Sequence, residues 1–264
     1  MPYKNAPILI QPIQTQRLWR YMDFVKFTAL IQNRSLYFPS LKQFLQTDPW
    51  EGLPSNLNFD PTRPIEVYEN NEVPRCQNGT RKLTTLSQFL GNGFENIIKH
   101  QKQAYIDLRK TFYVSCWHMN DGESDSQWKI YGYNPMSLAI VTNFQKLSES
   151  ITDSRTIYGG KVIYYNPERD ITSEGNVYYQ AIMKRTAFEH EKEFRLIFWD
   201  HQSINNDLTS EGVSIAVDIE NLIERIIISP HAPEWFLKVV TSLTNDYGFN
   251  IQIEKSNLLD PLIY

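Results

Sequence analysis

The chain has 264 residues, with 26 basic side chains against 30 acidic ones and a formal charge of −4. At 41% hydrophobic and 21% charged residues the composition is globular, which excludes disordered and collagen-like classes. The mild acidity excludes a global electrostatic pull toward nucleic acid or an anionic membrane.

Residues 18–22 read as a short strand, 24–32 carry apolar residues at helical spacing, and 35–39 read as a second strand. Asp48-Pro49-Trp50-Glu51-Gly52 is turn chemistry. Residues 53–80 are rich in Pro, Asn and Asp and read as a long loop or lid. A helix is expected over 95–110, a strand over 111–117 and a short helix over 123–131. Asp121, Glu123 and Asp125 favour the start of that short helix through its dipole. Strands follow at 137–143 and 157–165, then a short helix at 181–188 and a strand at 193–199. In the last of these, Phe194, Leu196 and Phe198 face one way and Glu193, Arg195 and Ile197 the other. The tail repeats the pattern, with strands at 213–217, 224–229 and 249–254 and a helix at 233–247. Strands and helices mix without regular βαβ spacing. The expectation is one α+β domain over residues 1–264, with a mixed, mostly antiparallel sheet and flanking helices.

The chain contains no G-x-x-x-x-G-K-[ST], G-x-G-x-x-G or H-E-x-x-H pattern and no internal repeat, so P-loop, dinucleotide-fold and zincin chemistry lack their usual motifs. No stretch approaches the roughly 18 apolar residues of a membrane-spanning helix. Residues 1–16 lack the apolar run of a signal peptide, so the expected compartment is the cytoplasm and no membrane partner is expected. Two cysteines, Cys76 and Cys116, are too few for a disulfide framework or a four-cysteine zinc site. The sequon at Asn78 reads as a turn.

Four constellations carry chemistry. In Glu189-His190-Glu191-Lys192-Glu193-Phe194-Arg195, a strand would put Glu191, Glu193 and Arg195 on one face. Desolvation of one acid there raises its pKa and suits it to acid/base work; the plain alternative is an edge strand with a Glu–Arg pair. Arg20 lies within an apolar first strand and requires either an anionic ligand such as phosphate or a structural carboxylate. Ser115 and Cys116 end a strand, with His118 two residues beyond Cys116; a Cys-x-His pair there suggests a thiolate nucleophile, but Cys116 reads more readily as a small buried hydrophobe. Trp128 and Tyr131, three apart on the short helix, are either core or one wall of a ligand pocket. A hard-cation site at the acidic run is the weaker reading beside helix capping.

Together these motifs resemble a bacterial family known as domain of unknown function 2971. The resemblance is carried by Arg20-Tyr21, Leu36-Tyr37-Phe38, Phe44, Asp48-Pro49-Trp50-Glu51, Ser115-Cys116-Trp117, Trp128-x-x-Tyr131-Gly132, Glu191-Lys192-Glu193-Phe194-Arg195-Leu196 and Lys255-Ser256-x-Leu258. A weaker resemblance links the order Arg20, Ser115, then Glu191 with Glu193 to ADP-ribosyltransferases of the Arg-Ser-Glu type. That resemblance implies their fold, with NAD as substrate and no metal. It implies that Arg20 holds the NAD phosphates and that Ser115 supports the nicotinamide-ribose pocket. Glu193 would be the electrostatic catalyst and Glu191 would orient the acceptor or water. Tyr21 or Trp128 would stack the nicotinamide, with Tyr131 beside them. A fixed carboxylate stabilises the positive charge that departure of nicotinamide leaves on the ribose.

The function expected is NAD consumption by a transferase or glycohydrolase of the toxin or phage-defence kind, acting on a nucleotide and on a protein or nucleic-acid acceptor. Two alternatives stand beside it: a non-catalytic module that binds a nucleotide or a partner, and a metal-dependent nuclease or hydrolase using Asp48, Glu51, Glu123 or Asp125. The composition permits a dimer.

Overall fold

Strand β1 (Arg17–Asp23) runs directly into helix α1 (Phe24–Asn33) because Asp23 caps it, its carboxylate accepting the Lys26 amide at 2.8 Å. Helix α1 buries Phe27, Leu30 and Ile31 and stops at Arg34, which sits in the left-handed region. Strand β2 (Ser35–Pro39) follows. The computed structural model describes residues 2–68, 81–205 and 210–261. The next elements are β3 (Pro64–Tyr68), β4 (Arg81–Thr85), α2 (Leu86–Leu90), α3 (Phe94–Leu108), β5 (Phe112–Met119), α4 (Asp125–Tyr131), β6 (Ser137–Asn143) and α5 (Phe144–Glu149). Then come β7 (Tyr158–Lys161), β8 (Ile163–Tyr165), α6 (Tyr179–Ile182), β9 (Met183–Arg185), β10 (Glu193–Trp199) and β11 (Gly212–Ala216). Helix α7 (Ile219–Leu222), β12 (Arg225–Ile228), α8 (Glu234–Asp246) and β13 (Gln252–Lys255) complete the fold.

Seven strands form one sheet in the order β13-β12-β6-β1-β5-β10-β7. Every pairing in it is antiparallel except β12 with β13. This is the mixed, mostly antiparallel α+β sheet expected from the sequence. Alternation divides the core. Leu18, Met22, Trp117, Phe194 and Leu196 belong to one cluster with Phe27 and Phe236. On the other face, Phe112, Val114 and Ile197 pack with Leu9 and Ile182, while Trp19 and Tyr21 pack with Trp128 and Val141.

The register between β1 and β5 positions the site. These strands pair only at Leu18 with Met119 and at Trp19 with His118. Past Trp19, β1 continues along β6 as far as Asp23, while β5 continues along β10 as far as Phe112. The sheet therefore splays open between Arg20–Met22 on one side and the middle of β5 on the other.

Three expectations are corrected. The strand over 157–165 divides at Val162, because β8 leaves the sheet to pair in parallel with β9. The helix over 181–188 is replaced by the end of α6, by β9 and by a 3-10 turn at Thr186–Glu191; strand pairing overrides local propensity there. The first half of the expected loop or lid is ordered. Ser55 caps a 3-10 turn at Asn56–Phe59, Asn58 is buried against Thr172, and β3 pairs with β4. Residues 69–80, with Cys76 and the sequon at Asn78, lie outside the described residues.

Candidate functional site

The splay between β1 and β5 opens a cavity of about 540 Å³, within the range of small-molecule sites. Arg20, Tyr21, His118, Tyr131, Glu191 and Glu193 all line it. By alternation Arg20 shares a face with Leu18 and Met22, and Glu193 shares the opposite face with Ile197. In a continuous sheet they could not meet in one site; the gap gives both access to a single cavity.

Arg20 is half-buried. Its Nη1 donates to Ser115 Oγ at 2.5 Å, its Nη2 donates to the Tyr37 carbonyl at 3.2 Å, and its guanidinium lies over the Trp117 ring. Its partners are neutral, and no described carboxylate forms an ion pair with it. Burial lowers its pKa to about 10, so it remains a cation at neutral pH. Ser115 is fully buried and accepts from both Arg20 and Trp117 Nε1. It positions the guanidinium from below and does not line the cavity.

The acids form a buried cluster. Arg195 Nε donates to Glu193 at 2.6 Å, and Arg195 Nη1 donates to Glu51 at 2.6 Å. Lys184 Nζ donates to Glu193 at 3.0 Å and also to Glu191. Tyr131 Oη donates to the other oxygen of Glu191 at 3.1 Å. Three carboxylates thus share two side-chain cations. Burial alone would raise the Glu193 carboxyl, but Arg195 and Lys184 outweigh it and hold Glu193 below the usual carboxylate range. Burial and the neighbouring Glu193 push Glu191 up to about 7. Glu191 does not lie on the strand. It ends the 3-10 turn, and Lys192, in the left-handed region, swings the chain into β10.

Tyr21 lines the cavity while its Oη accepts the Ser124 amide. Trp128 does not reach the cavity, which corrects its expected stacking role. It is 2% exposed, donates its indole N–H to Glu123 at 2.9 Å and packs edge-on against Tyr21. Helix α4 turns Gln127 and Tyr131 toward the cleft, while Trp128 faces the core. Cys116 also lines the cleft, and burial pushes its thiol up to about 12, which disfavours the thiolate a nucleophile needs.

The carboxylates of the metal alternative do not converge. Asp48 pairs with Arg185, Glu51 with Arg195, Asp125 with Lys129, and Glu123 accepts from Trp128 and Ser256. Among the described residues no three His, Cys, Asp or Glu side chains gather as a metal site. Sequence reasoning missed Lys184 and Gln127. Lys184 lay inside the misread helix, and Gln127 carries no motif; only tertiary placement exposes either.

No family model and no curated protein matches the chain, so the resemblance to domain of unknown function 2971 rests on its motifs alone. No described helix is long and apolar enough to cross a membrane. Two solved structures match. "Thermus sp. 2.9 DarT in complex with NAD+" is 8% identical, covers 94% of this chain and 98% of its own, and has a TM-score of 0.40. "Thermus sp. 2.9 DarT in complex with carba-NAD+" is 9% identical, covers 93% and 96%, and has a TM-score of 0.37. A likeness at that level carries no argument about activity.

Proposed function

We propose that the cleft binds a nucleotide through its diphosphate, and that the protein consumes NAD, passing ADP-ribose to an acceptor or to water. One observation carries this reading: a half-buried arginine without a carboxylate partner shares a cavity with a buried glutamate pair. Arg20 offers a planar fork of donors suited to phosphate. Ser115 holds that fork in place. At the acid cluster, Glu191 and Glu193 supply negative charge where departing nicotinamide leaves positive charge on the ribose carbon. The electron pair of the breaking bond goes to the nicotinamide nitrogen, the acceptor oxygen closes on the ribose carbon, and the proton that oxygen loses passes to the Glu191 carboxylate.

A second reading is favoured by a specific observation: Glu193 is fully engaged by Arg195 and Lys184. A module that binds a nucleotide without turning it over would look the same. Nicotinamide release by the purified protein, beside Glu193→Gln, Glu191→Gln and Arg20→Lys, separates the two. Consumption of NAD predicts release by wild type and a loss of roughly 100-fold or more when a carboxylate is neutralised. Nucleotide binding without any release by wild type would establish the non-catalytic module.

A further inference from the structure

Two residues that line the cleft each carry a buried side-chain atom with no hydrogen-bond partner among the described residues: Nε2 of His118 and Nε2 of Gln127. The two residues are 5% and 3% exposed. Such groups are rare in folded proteins and call for an explanation. The chemistry of each is defined. His118 Nδ1 lies 2.6 Å from the Glu191 backbone carbonyl, which can only accept, so Nδ1 carries the proton. Burial also lowers the pKa of this ring, so it is neutral at pH 7. His118 Nε2 is therefore a bare acceptor, and Gln127 Nε2 is a free donor.

Both residues neighbour the acid cluster. His118 bonds the Glu191 backbone and is paired in register with Glu193. Gln127 lies four residues before Tyr131 on α4, hence on the same face, and Tyr131 bonds the Glu191 carboxyl.

We propose that His118 and Gln127 form a recognition subsite for a primary carboxamide. The carboxamide N–H₂ donates to His118 Nε2, and its carbonyl oxygen accepts from Gln127 Nε2. The proposal rests on the NAD reading above, in which the nicotinamide end of the dinucleotide lies at the acid cluster. It adds a specificity rule. A carboxylate in place of the carboxamide has no hydrogen to give His118 and places a negative charge beside Glu191 and Glu193. The site therefore accepts the amide and rejects the acid.

The test is calorimetric titration of the whole protein with three ligands. These are the carbocyclic analogue of NAD, which retains its nicotinamide, its nicotinic acid counterpart, and ADP-ribose. The amide is expected to bind about 100-fold or more tightly than the acid, because a site built to receive a hydrogen bond discriminates strongly against an analogue lacking it. In His118→Leu and Gln127→Leu that ratio is expected to fall below about tenfold, with ADP-ribose affinity retained as the sign of an intact cleft. Equal binding of amide and acid by wild type would overturn the subsite and leave the NAD reading standing. Failure of all three ligands to bind would overturn the NAD reading and the subsite with it. The wild-type comparison needs no variant to fold.

Discussion

Arg195 is the side chain on which the buried acids depend. It is fully buried and holds both Glu51 and Glu193. Arg195→Met would leave these carboxylates sharing Lys184 alone in a desolvated site. Removing one partner from a buried ion pair costs about 3–5 kcal/mol, and urea unfolding at pH 7 is expected to show a loss of that order. Glu191 makes a different prediction. Its folded-state pKa of about 7 lies above its ordinary value of 4.5, so the native state binds its proton more tightly than the unfolded chain does. The stability it contributes is complete below about pH 4.5 and is lost as pH rises through 7. Wild-type stability should therefore fall between pH 5 and about 7 relative to Glu191→Gln, whose amide does not titrate. Parallel denaturation curves for the two proteins across that range would refute the raised pKa.

At the scale of the element, two local devices hold the strands that frame the cleft. Asp23 ends β1 and caps α1 through the Lys26 amide. Asp23→Ala should cost about 1 kcal/mol in unfolding free energy, the usual value of such a cap. Gly159 on β7 packs against Phe194 of β10 and Tyr3 of the N-terminal segment. A methyl group there would stand 2.6 Å from both Phe194 Cζ and Tyr3 Oη. Gly159→Ala is expected to lose about 1–3 kcal/mol by overpacking, measured as a lowered denaturation midpoint with an unchanged denaturant slope.

At the scale of the molecule, stability is uneven. Strands β5, β6 and β10 are buried on both faces. Helix α3 buries only Ile98 along its 15 residues and exposes Ile97 and Ile106. Amide exchange should follow this gradient, with α3 exchanging through local opening and the three central strands only through global unfolding. Uniform protection of α3 and β5 would contradict it. The cleft lies where the β1–β6 and β5–β10 ladders diverge.

The central strands and the first helix were legible in the residues themselves. Alternation along residues 193–199 and the periodicity of residues 24–32 are local properties, and β10 and α1 follow them closely. Arg20 stood out as a charge within an apolar run, and Glu191 and Glu193 as two carboxylates a pair apart beside Arg195; each requires a partner. What the sequence could not carry was pairing between distant segments. Within the 181–188 stretch, Met183–Arg185 became β9 because Ile163–Tyr165 was available to pair with it. Trp128 left the ligand wall because Glu123 accepted its indole N–H. Arg20 and Glu193 came to one cavity, across opposite faces of a sheet, only because β1 and β5 part after two paired residues. The sequence by itself determined which residues are apolar, which are charged and which segments repeat with period 2 or 3.6, because those are properties of neighbours along the chain. Tertiary structure alone decided which distant partners the buried charges found, because contacts such as Arg20 with Ser115 and Arg195 with Glu51 join residues 95 and 144 positions apart.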